Sequence, residues 1–234
     1  MTTFALVHGA WHGAWCWMRL GEQLRRRGHD VVAMDLPCED PAAGCARYAE
    51  AVTAALDDTD EDVALVGHSL GGLTIPLVAA RRPVRRLIFL CALLPEPGRS
   101  LDDQTPDNPT MICAGVGAGQ QAHPDGSTSW HTASAASTLY PDCTPAIARW
   151  AARQLRRQNW RPAQEVSPLT RWPATETRYI LCANDAVISA DWARQAARDR
   201  LGTVATELQG GHSPFLCQPA ELADVLIAQL APGR

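Results

Sequence analysis

The sequence predicts an α/β protein in which helices flank a mostly parallel central sheet and a helical cap is inserted. Over residues 1–94, short apolar runs that fit buried strands alternate with segments that fit helices. From 95 to 173 this alternation stops and Pro, Gly, Ser, Thr, Asp and Asn become frequent; it resumes from 174 to 234. Because a structureless loop of that length is uncommon inside a compact domain, the middle segment is expected to form the cap.

The first part of the chain alternates strands with helices. Its first strand, Phe4–Val7, is wholly apolar, as expected of a central parallel strand covered on both faces. The first helix presents Trp17, Leu20 and Leu24 on one face and stops at Gly28. The predicted strands are Phe4–Val7, His29–Met34, Val63–Val66 and Arg85–Leu90, and the predicted helices between them are Ala14–Arg27, Cys45–Leu56 and Leu70–Ala80.

The rest of the chain returns to the same alternation after one clear cap helix, Ala146–Arg157. The elements that follow are a strand at Thr177–Cys182, a helix at Asp191–Arg200, a strand at Val204–Leu208 and a closing helix at Pro219–Leu230. This order predicts parallel strands joined by right-handed crossovers, with all strand carboxyl ends at one edge of the sheet.

Composition narrows the classes of partner. Of the 234 residues 20% are charged and 46% hydrophobic, which is ordinary for a globular protein. The net charge of −4 gives no reason to expect nucleic acid or an anionic membrane surface as partner. No apolar run approaches the roughly 18 residues that a membrane span needs. All 21 basic residues are arginine, which excludes Schiff-base chemistry by lysine and is typical of GC-rich bacterial coding.

The eight cysteines are scattered through the chain with no metal-ligand spacing, so no metal site is expected. The first residues, Met1–Phe4, lack the basic region of a signal peptide. A reduced cytoplasm is therefore the expected location.

The strongest motif is Gly67-His68-Ser69-Leu70-Gly71, which lies between a predicted strand and a predicted helix. Strand, sharp turn and helix form the setting in which a nucleophilic serine is held above a sheet. Glycine on either side of Ser69 avoids a clash across the turn. The pattern alone also fits a glycine-rich loop, but its setting predicts Ser69 as a nucleophile.

A nucleophilic serine needs a base, and the base needs an acid to orient it. Asp185 lies just past the strand Thr177–Cys182, and His212 lies in a glycine-flanked loop past the next strand. Both are expected at the edge of the sheet that carries Ser69.

Other residues of the chain offer the same chemical groups. Glu96 is the alternative acid. His68 is predicted to be structural, whereas His123 and His131 fall in the cap and are poorly placed to act as a base.

Acyl transfer also needs hydrogen-bond donors for the oxyanion that develops on the substrate. The backbone N–H of Leu70, directly after the nucleophile, is one expected donor. The second is expected from the loop after the first strand, where Gly9 allows close approach and the N–H of Ala10 is the candidate.

Three runs together resemble the α/β-hydrolase fold: Leu6 to Trp17 (LVHGAWHGAWCW), Gly67 to Gly72 (GHSLGG) and Gly211-His212. More narrowly, they resemble the plant methylesterase and hydroxynitrile lyase group with its bacterial esterase relatives. The resemblance implies a Ser69-Asp185-His212 triad, an oxyanion hole at Ala10 and Leu70, and no cofactor.

Two positions depart from the lyase branches of that group. One branch has lysine after the catalytic histidine, where this chain has Ser213, and another has asparagine where this chain has Gly9. Both departures favour an esterase over a lyase. The serine at position 69 likewise disfavours haloalkane dehalogenases and epoxide hydrolases, which use aspartate there.

The predicted function is therefore a serine hydrolase, a carboxylesterase that cleaves small to medium hydrophobic esters. Lactone hydrolysis, thioester release or cyclisation with the same triad is the main alternative, followed by hydroxynitrile lyase activity and by a non-catalytic ligand sensor. A small-molecule ester is the expected partner, and a homodimer is left open. Candidate residues for contact with the substrate are Gly9, Trp11, Trp130 and His131, with Trp150 and Trp160 as further candidates of the cap.

Overall fold

The computed structural model describes residues 1–59 and 62–231. Eight strands lie within these residues, and six of them form one parallel sheet while β5 and β6 form a separate antiparallel hairpin. They are β1 (Thr3–Val7), β2 (Asp30–Ala33), β3 (Val63–His68), β4 (Arg86–Leu90), β5 (Gln120–Ala122), β6 (Thr128–Trp130), β7 (Thr177–Cys182) and β8 (Thr206–Leu208).

The helices cover the sheet and fill the segment between β4 and β7. They are α1 (Met18–Arg26), α2 (Cys45–Ala55), α3 (Ile75–Ala79), α4 (Leu101–Gln104), α5 (Thr132–Leu139), α6 (Pro145–Gln154), α7 (Arg161–Gln164), α8 (Ala190–Leu201), α9 (Pro214–Cys217) and α10 (Pro219–Ala228). Short 3₁₀ helices cover Ala14–Trp17, Ser69–Leu73 and Val116–Gly119.

The strand order of the sheet, β2-β1-β3-β4-β7-β8, places the functional loops side by side. At the carboxyl edge, Val7 of β1 is in register with Gly67 of β3, and His68 of β3 is in register with Leu90 of β4. The α/β fold with a mostly parallel sheet that the sequence predicted is confirmed.

The central strands are buried along their whole length, because helices cover both faces of the sheet. Every residue of β3 and β4 is buried, and so are four of the five residues of β1. The apolar composition of these runs follows from that burial. The core is thus a rigid base for the loops at its carboxyl edge.

The long stretch of chain between β4 and β7, two strands that are neighbours in the sheet, is referred to below as the insertion. It holds α4 to α7 and the β5–β6 hairpin, whereas the sequence predicted only the helix near α6. Helix α4 begins at a capping box in which the Ser100 hydroxyl accepts from the N–H of Asp103. The predicted limits of the cap, 95 and 173, stay a prediction.

The predicted helix at 70–80 is split in the structure. A 3₁₀ helix covers Ser69–Leu73, and α3 begins at Ile75 with Pro76 in its first turn. Proline has no N–H to donate to the carbonyl four residues earlier, so one continuous helix across this stretch is excluded.

One disulfide, between Cys143 and Cys217, was not anticipated from the cysteine spacing. It joins the segment after α5 to α9, just past the loop of His212. The other six cysteines are free. In the described part of the chain, no helix is long and apolar enough to span a bilayer.

Candidate active site

The turn after β3 has the strained backbone of a nucleophile elbow. Ser69 has a φ of +51°, a left-handed value that is uncommon for residues other than glycine. A Cβ on Gly67 would lie 2.9 Å from the carbonyl oxygen of Gly71, and a Cβ on Gly71 would lie 2.7 Å from that of His8. Glycine at both positions therefore allows this turn to pack tightly.

Asp185 and His212 form a buried hydrogen-bonded pair. Nδ1 of His212 lies 2.8 Å from Oδ2 of Asp185, and only 3% and 2% of the two side chains are exposed. The other oxygen of Asp185, Oδ1, accepts the backbone N–H groups of Val187 at 2.7 Å and Ile188 at 3.0 Å. A carboxylate held in this way fixes the imidazole with its proton on Nδ1 and leaves Nε2 to accept a proton.

His68 ties the elbow to the loop of His212. Its Nε2 donates to the backbone carbonyl of His212 at 2.9 Å, and the two imidazole centroids are 4.6 Å apart. Burial holds the pKa of His68 well below its usual value, so the ring stays neutral. Because His68 directly precedes Ser69, this bond holds the histidine loop against the elbow, and His68 has the structural role that the sequence predicted.

The loop after β1 packs directly on the elbow. A Cβ on Gly9 would lie 2.7 Å from Cβ of Ser69 and 2.9 Å from Nδ1 of His68, so only glycine fits there. Ala10 and Leu70 line the same cavity as Ser69. The residues predicted to carry the oxyanion donors are therefore neighbours of the predicted nucleophile.

His8 fixes the peptide plane that carries the N–H of Ala10. Its Nδ1 donates to the carbonyl of Gly9 at 2.8 Å, and its Nε2 accepts the N–H of Leu36 at 2.9 Å. Burial lowers the pKa of His8 to about 4, which keeps the ring neutral. Since a trans peptide bond points its C=O and N–H in opposite directions, the N–H of Ala10 is directed away from His8.

A cavity of about 200 Å³ opens at Ser69. Its polar lining residues other than Ser69 are Asp102, Thr105 and Gln120, and no arginine is among the described residues that line it. Partial desolvation, followed by the neighbouring charge of Asp103, raises the pKa of Asp102, although the residue is largely exposed. The apolar lining residues are Ala10, Trp11, Leu70, Leu93, Leu101, Met111, Ile112, Val116, Trp160, Ala163, Val187 and Ile188. A larger groove of about 470 Å³, lined by Asp35 and Arg156 among others, lies apart from Ser69.

Comparison with known proteins agrees with this arrangement. The model of the alpha/beta hydrolase family matches residues 4–225. The chain belongs to the α/β-hydrolase family. This hydrolase is 27% identical to Methylesterase 2 of Arabidopsis thaliana, over 96% of its own length and 94% of that protein. It is 29% identical to Salicylic acid-binding protein 2 of Nicotiana tabacum, over 96% and 95% of the two chains.

Among solved structures, polyneuridine aldehyde esterase has the same fold, with a TM-score of 0.84, 22% identity and coverage of 99% and 100% of the two chains. The resemblance to the methylesterase group that the first motif indicated is confirmed by these whole-length matches.

The residues predicted to contact the substrate of this hydrolase fall into two groups, those at the cavity and those away from it. Trp11 and Trp160 line the cavity, and Gly9 lies beneath it against Ser69. Trp130 instead packs edge-on against Trp11, with ring centroids 5.4 Å apart, and is absent from the lining. His131 is exposed before α5 and is also absent from it.

The further cap candidate Trp150 lies on the surface, where it packs edge-on against Trp15. Glu96, the alternative acid, instead pairs with Arg99, while His212 bonds to Asp185. Of the two acids, Asp185 alone has the geometry of the orienting acid among the described contacts.

Two residues of the insertion contact the loops that carry Ala10 and His212 in ways that the sequence did not reveal. The hydroxyl of Tyr140 bonds to Nε2 of His12 at 2.8 Å, and the carboxylate of Asp142 accepts the N–H of Gly211, next to His212. Neither residue belongs to a motif, and their contacts depend on how the insertion folds back. The one feature of the sequence that distinguishes Tyr140 and Asp142 is their position shortly before Cys143, a cysteine of the disulfide.

Cys91, Asp185 and His212 are the one group of three residues of metal-binding type whose ligand atoms approach within 4.8 Å in the described residues. A hydrogen bond with Cys182 and burial both raise the pKa of the Cys91 thiol, so the thiolate that a metal would require is disfavoured. The acid–histidine pair already accounts for the other two side chains.

Proposed function

We propose that the protein is a serine carboxylesterase that hydrolyses small neutral esters through an acyl-enzyme intermediate. The observation that carries this proposal is the buried Asp185–His212 pair, which is held by His68 against the strained turn of Ser69. An oriented base beside a nucleophile elbow is the arrangement that acyl transfer requires.

In the proposed mechanism, Oγ of Ser69 attacks the ester carbonyl while Nε2 of His212 takes its proton. Asp185 stabilises the imidazolium that results, and the N–H groups of Ala10 and Leu70 bind the oxyanion. The imidazolium then gives its proton to the departing alcohol oxygen, which leaves an acyl group on Ser69. A water molecule, deprotonated by His212, attacks this acyl group. The bond between the acyl carbon and Oγ of Ser69 then breaks, the imidazolium returns its proton to Oγ, and the carboxylic acid is released.

The cavity supports small, neutral substrates. Its volume of about 200 Å³ is below the roughly 300–1,000 Å³ of pockets for drug-sized ligands. Its lining is mostly apolar, and among the residues that the structure describes Asp102 alone brings an ionisable carboxyl to it. A substrate with a free carboxylate would meet this acid without a compensating cation, so uncharged esters are the preferred class.

The reaction class is supported by the esterases that match the whole chain. Methylesterase 2 and polyneuridine aldehyde esterase both carry ester cleavage in their names, and the α/β-hydrolase family is shown. The bacterial origin, cytoplasmic location and homodimer stay predictions from the sequence. Since disulfides are rare in a reducing cytoplasm, the Cys143–Cys217 pair does not favour that predicted location.

Substrate profiling tests the proposal. We expect turnover of short uncharged p-nitrophenyl and methyl esters, with kcat/KM at least tenfold above that of matched lactones, thioesters and esters bearing a carboxylate. The Ser69→Ala variant is the control and should lose all of these activities while it stays folded. Faster turnover of lactones or thioesters would change the substrate class, and ester turnover that survives in Ser69→Ala would contradict the mechanism.

A further inference from the structure

A second buried histidine, His12, lies between the insertion and the loop that carries Ala10. Its Nδ1 lies 2.8 Å from the carbonyl oxygen of Ala10, and its Nε2 lies 2.8 Å from the hydroxyl of Tyr140. A carbonyl oxygen only accepts, so Nδ1 carries the proton and Nε2 must accept the proton of the tyrosine. His12 and Tyr140 are each 1% exposed, so water does not compete for these bonds.

Burial fixes the protonation of both partners. It lowers the pKa of His12 to about 3 and raises the pKa of the Tyr140 phenol well above its usual value. His12 is therefore a neutral ring with one donor and one acceptor, and Tyr140 keeps the proton that it donates. Around the ring lie Trp15, stacked at 5.5 Å, and His68, Tyr140 and Phe215, each edge-on at 5.9 Å.

The carbonyl that His12 holds belongs to the peptide that follows the oxyanion donor. The other end of the same peptide, the N–H of Trp11, donates to Oε1 of Gln158 at 3.2 Å. The preceding peptide, which carries the N–H of Ala10, is held by His8 through the carbonyl of Gly9. Ala10 thus lies between two peptide planes, each of which is held by a neutral histidine.

We propose that Tyr140 and His12 are positioning residues that set the orientation of the Ala10 N–H in the oxyanion hole. This role rests on the proposed function. Tyr140 acts together with the Ala10 carbonyl to select the His12 tautomer with its proton on Nδ1, and that proton holds the Ala10 carbonyl. Without the tyrosine proton, the tautomer protonated on Nε2 becomes accessible, the bond to Ala10 is weakened, and the donor is aimed less well at the transition state.

Tyr140 belongs to the insertion. The Tyr140–His12 bond therefore also makes the geometry of the oxyanion hole depend on how the insertion packs against the loop of Ala10. The same stretch reaches the other side of the site, where Asp142 accepts from Gly211 and Cys143 is bonded to Cys217. One turn of the insertion therefore contacts both the loop of the oxyanion donor and the loop of His212.

Three variants separate the two bonds of His12. In His12→Asn, the side-chain amide N–H can occupy the place of Nδ1 and keep the bond to Ala10, while the contact with Tyr140 is lost. In His12→Gln, the longer side chain reaches the place of Nε2 near Tyr140, while the donor to Ala10 is lost. Tyr140→Phe removes only the hydroxyl.

The expected result is a change in kcat with little change in KM. Loss of an oxyanion donor typically costs about 10²- to 10³-fold in kcat, and misorientation should cost no more than the lower end of that range. We expect kcat to fall roughly tenfold in Tyr140→Phe and roughly a hundredfold in His12→Gln, while His12→Asn stays within about threefold of wild type. In each variant KM should stay within about twofold.

The double variant Tyr140→Phe/His12→Asn tests whether the tyrosine acts through the histidine. If it does, adding Tyr140→Phe to His12→Asn lowers kcat no further. The matched control is Tyr179→Phe, which removes another buried hydroxyl, one bonded to the backbone of Ala92, and should leave kcat unchanged. An additive loss in the double variant, or an equal loss of kcat in Tyr179→Phe, would overturn the proposal.

A second readout does not depend on turnover. Long-range ¹H–¹⁵N spectra of the ligand-free protein should show His12 protonated on Nδ1 in wild type and a mixture of tautomers in Tyr140→Phe. Unchanged His12 resonances in Tyr140→Phe would overturn the proposal even if esters are hydrolysed. If the spectra change as expected but the wild type hydrolyses no ester, the proposed function fails, and the role of the pair in acyl transfer fails with it.

Discussion

Acidification from pH 8 to pH 5 should destabilise the fold because three histidines are buried in neutral form. Burial lowers the pKa of His8 from 6.5 to about 4 and that of His12 from 6.5 to about 3, and it lowers the pKa of His68 as well. In the unfolded chain these groups return to about 6.5. The unfolded state therefore binds more protons than the folded state below pH 6.5, and stability falls as the pH falls.

The magnitude follows from the linkage relation. The stability associated with keeping these histidines neutral is fully present above about pH 6.5. It is lost progressively as the pH falls toward the folded-state pKa values of about 4 for His8 and about 3 for His12. At pH 5, which is still above both folded values, each histidine costs about 2 kcal/mol, so His8 and His12 together cost about 4 kcal/mol. His68 adds a loss of the same sign. The combined loss is a large share of the free energy of unfolding of a typical domain, which is roughly 5–15 kcal/mol.

The assay is urea unfolding followed by tryptophan fluorescence at pH 8, 7, 6 and 5. The expected result is a loss of about 4 kcal/mol or more at pH 5, with a slope near two to three protons per molecule at the acidic end. His12→Asn should reduce the loss by about 2 kcal/mol, whereas His131→Asn, at an exposed position, should leave it unchanged. Equal stability at pH 8 and pH 5, or an unchanged slope in His12→Asn, would refute the reasoning.

Two further predictions concern the disulfide and the reaction type. Reduction of the Cys143–Cys217 disulfide, which spans 74 residues, should lower the free energy of unfolding by roughly 4 kcal/mol and Tm by roughly 10 °C. The Tm of a Cys143→Ser variant should not respond to reductant. An unchanged Tm in wild-type protein whose eight thiols all titrate after reduction would contradict this prediction. Mandelonitrile should not release cyanide above background, because Gly9 has no side chain, the chain has no lysine, and the described lining of the cavity holds no arginine. Cyanide release that disappears in Ser69→Ala would assign lyase chemistry instead.

The sheet could be predicted from the sequence because its strands are buried on both faces and therefore read as apolar runs. The strand predicted at Thr177–Cys182 is observed with the same limits, and Phe4–Val7 is extended by one residue. The insertion resisted prediction because its elements are short and partly exposed. The β5–β6 hairpin has three residues in each strand, too few for a periodicity to be read.

The site could be predicted where backbone geometry imposes a residue type. Gly9, Gly67 and Gly71 are required by contacts that leave no room for a Cβ, and such positions give a sequence motif. The lining of the cavity, by contrast, needs only apolar side chains of suitable size, so Met111 and Val116 carry no signal in the sequence. Tyr140 escaped prediction because its contact with His12 joins residues 128 positions apart.

The central claim is that Ser69 forms an acyl-enzyme with His212 as its base. Mass spectrometry of the protein quenched during the hydrolysis of p-nitrophenyl acetate tests this claim most directly. We expect one acetyl group on the peptide that contains Ser69, with accumulation of the adduct in His212→Ala at alkaline pH and no adduct in Ser69→Ala. An acetyl group on another residue in active wild type, or full turnover by Ser69→Ala, would contradict the account.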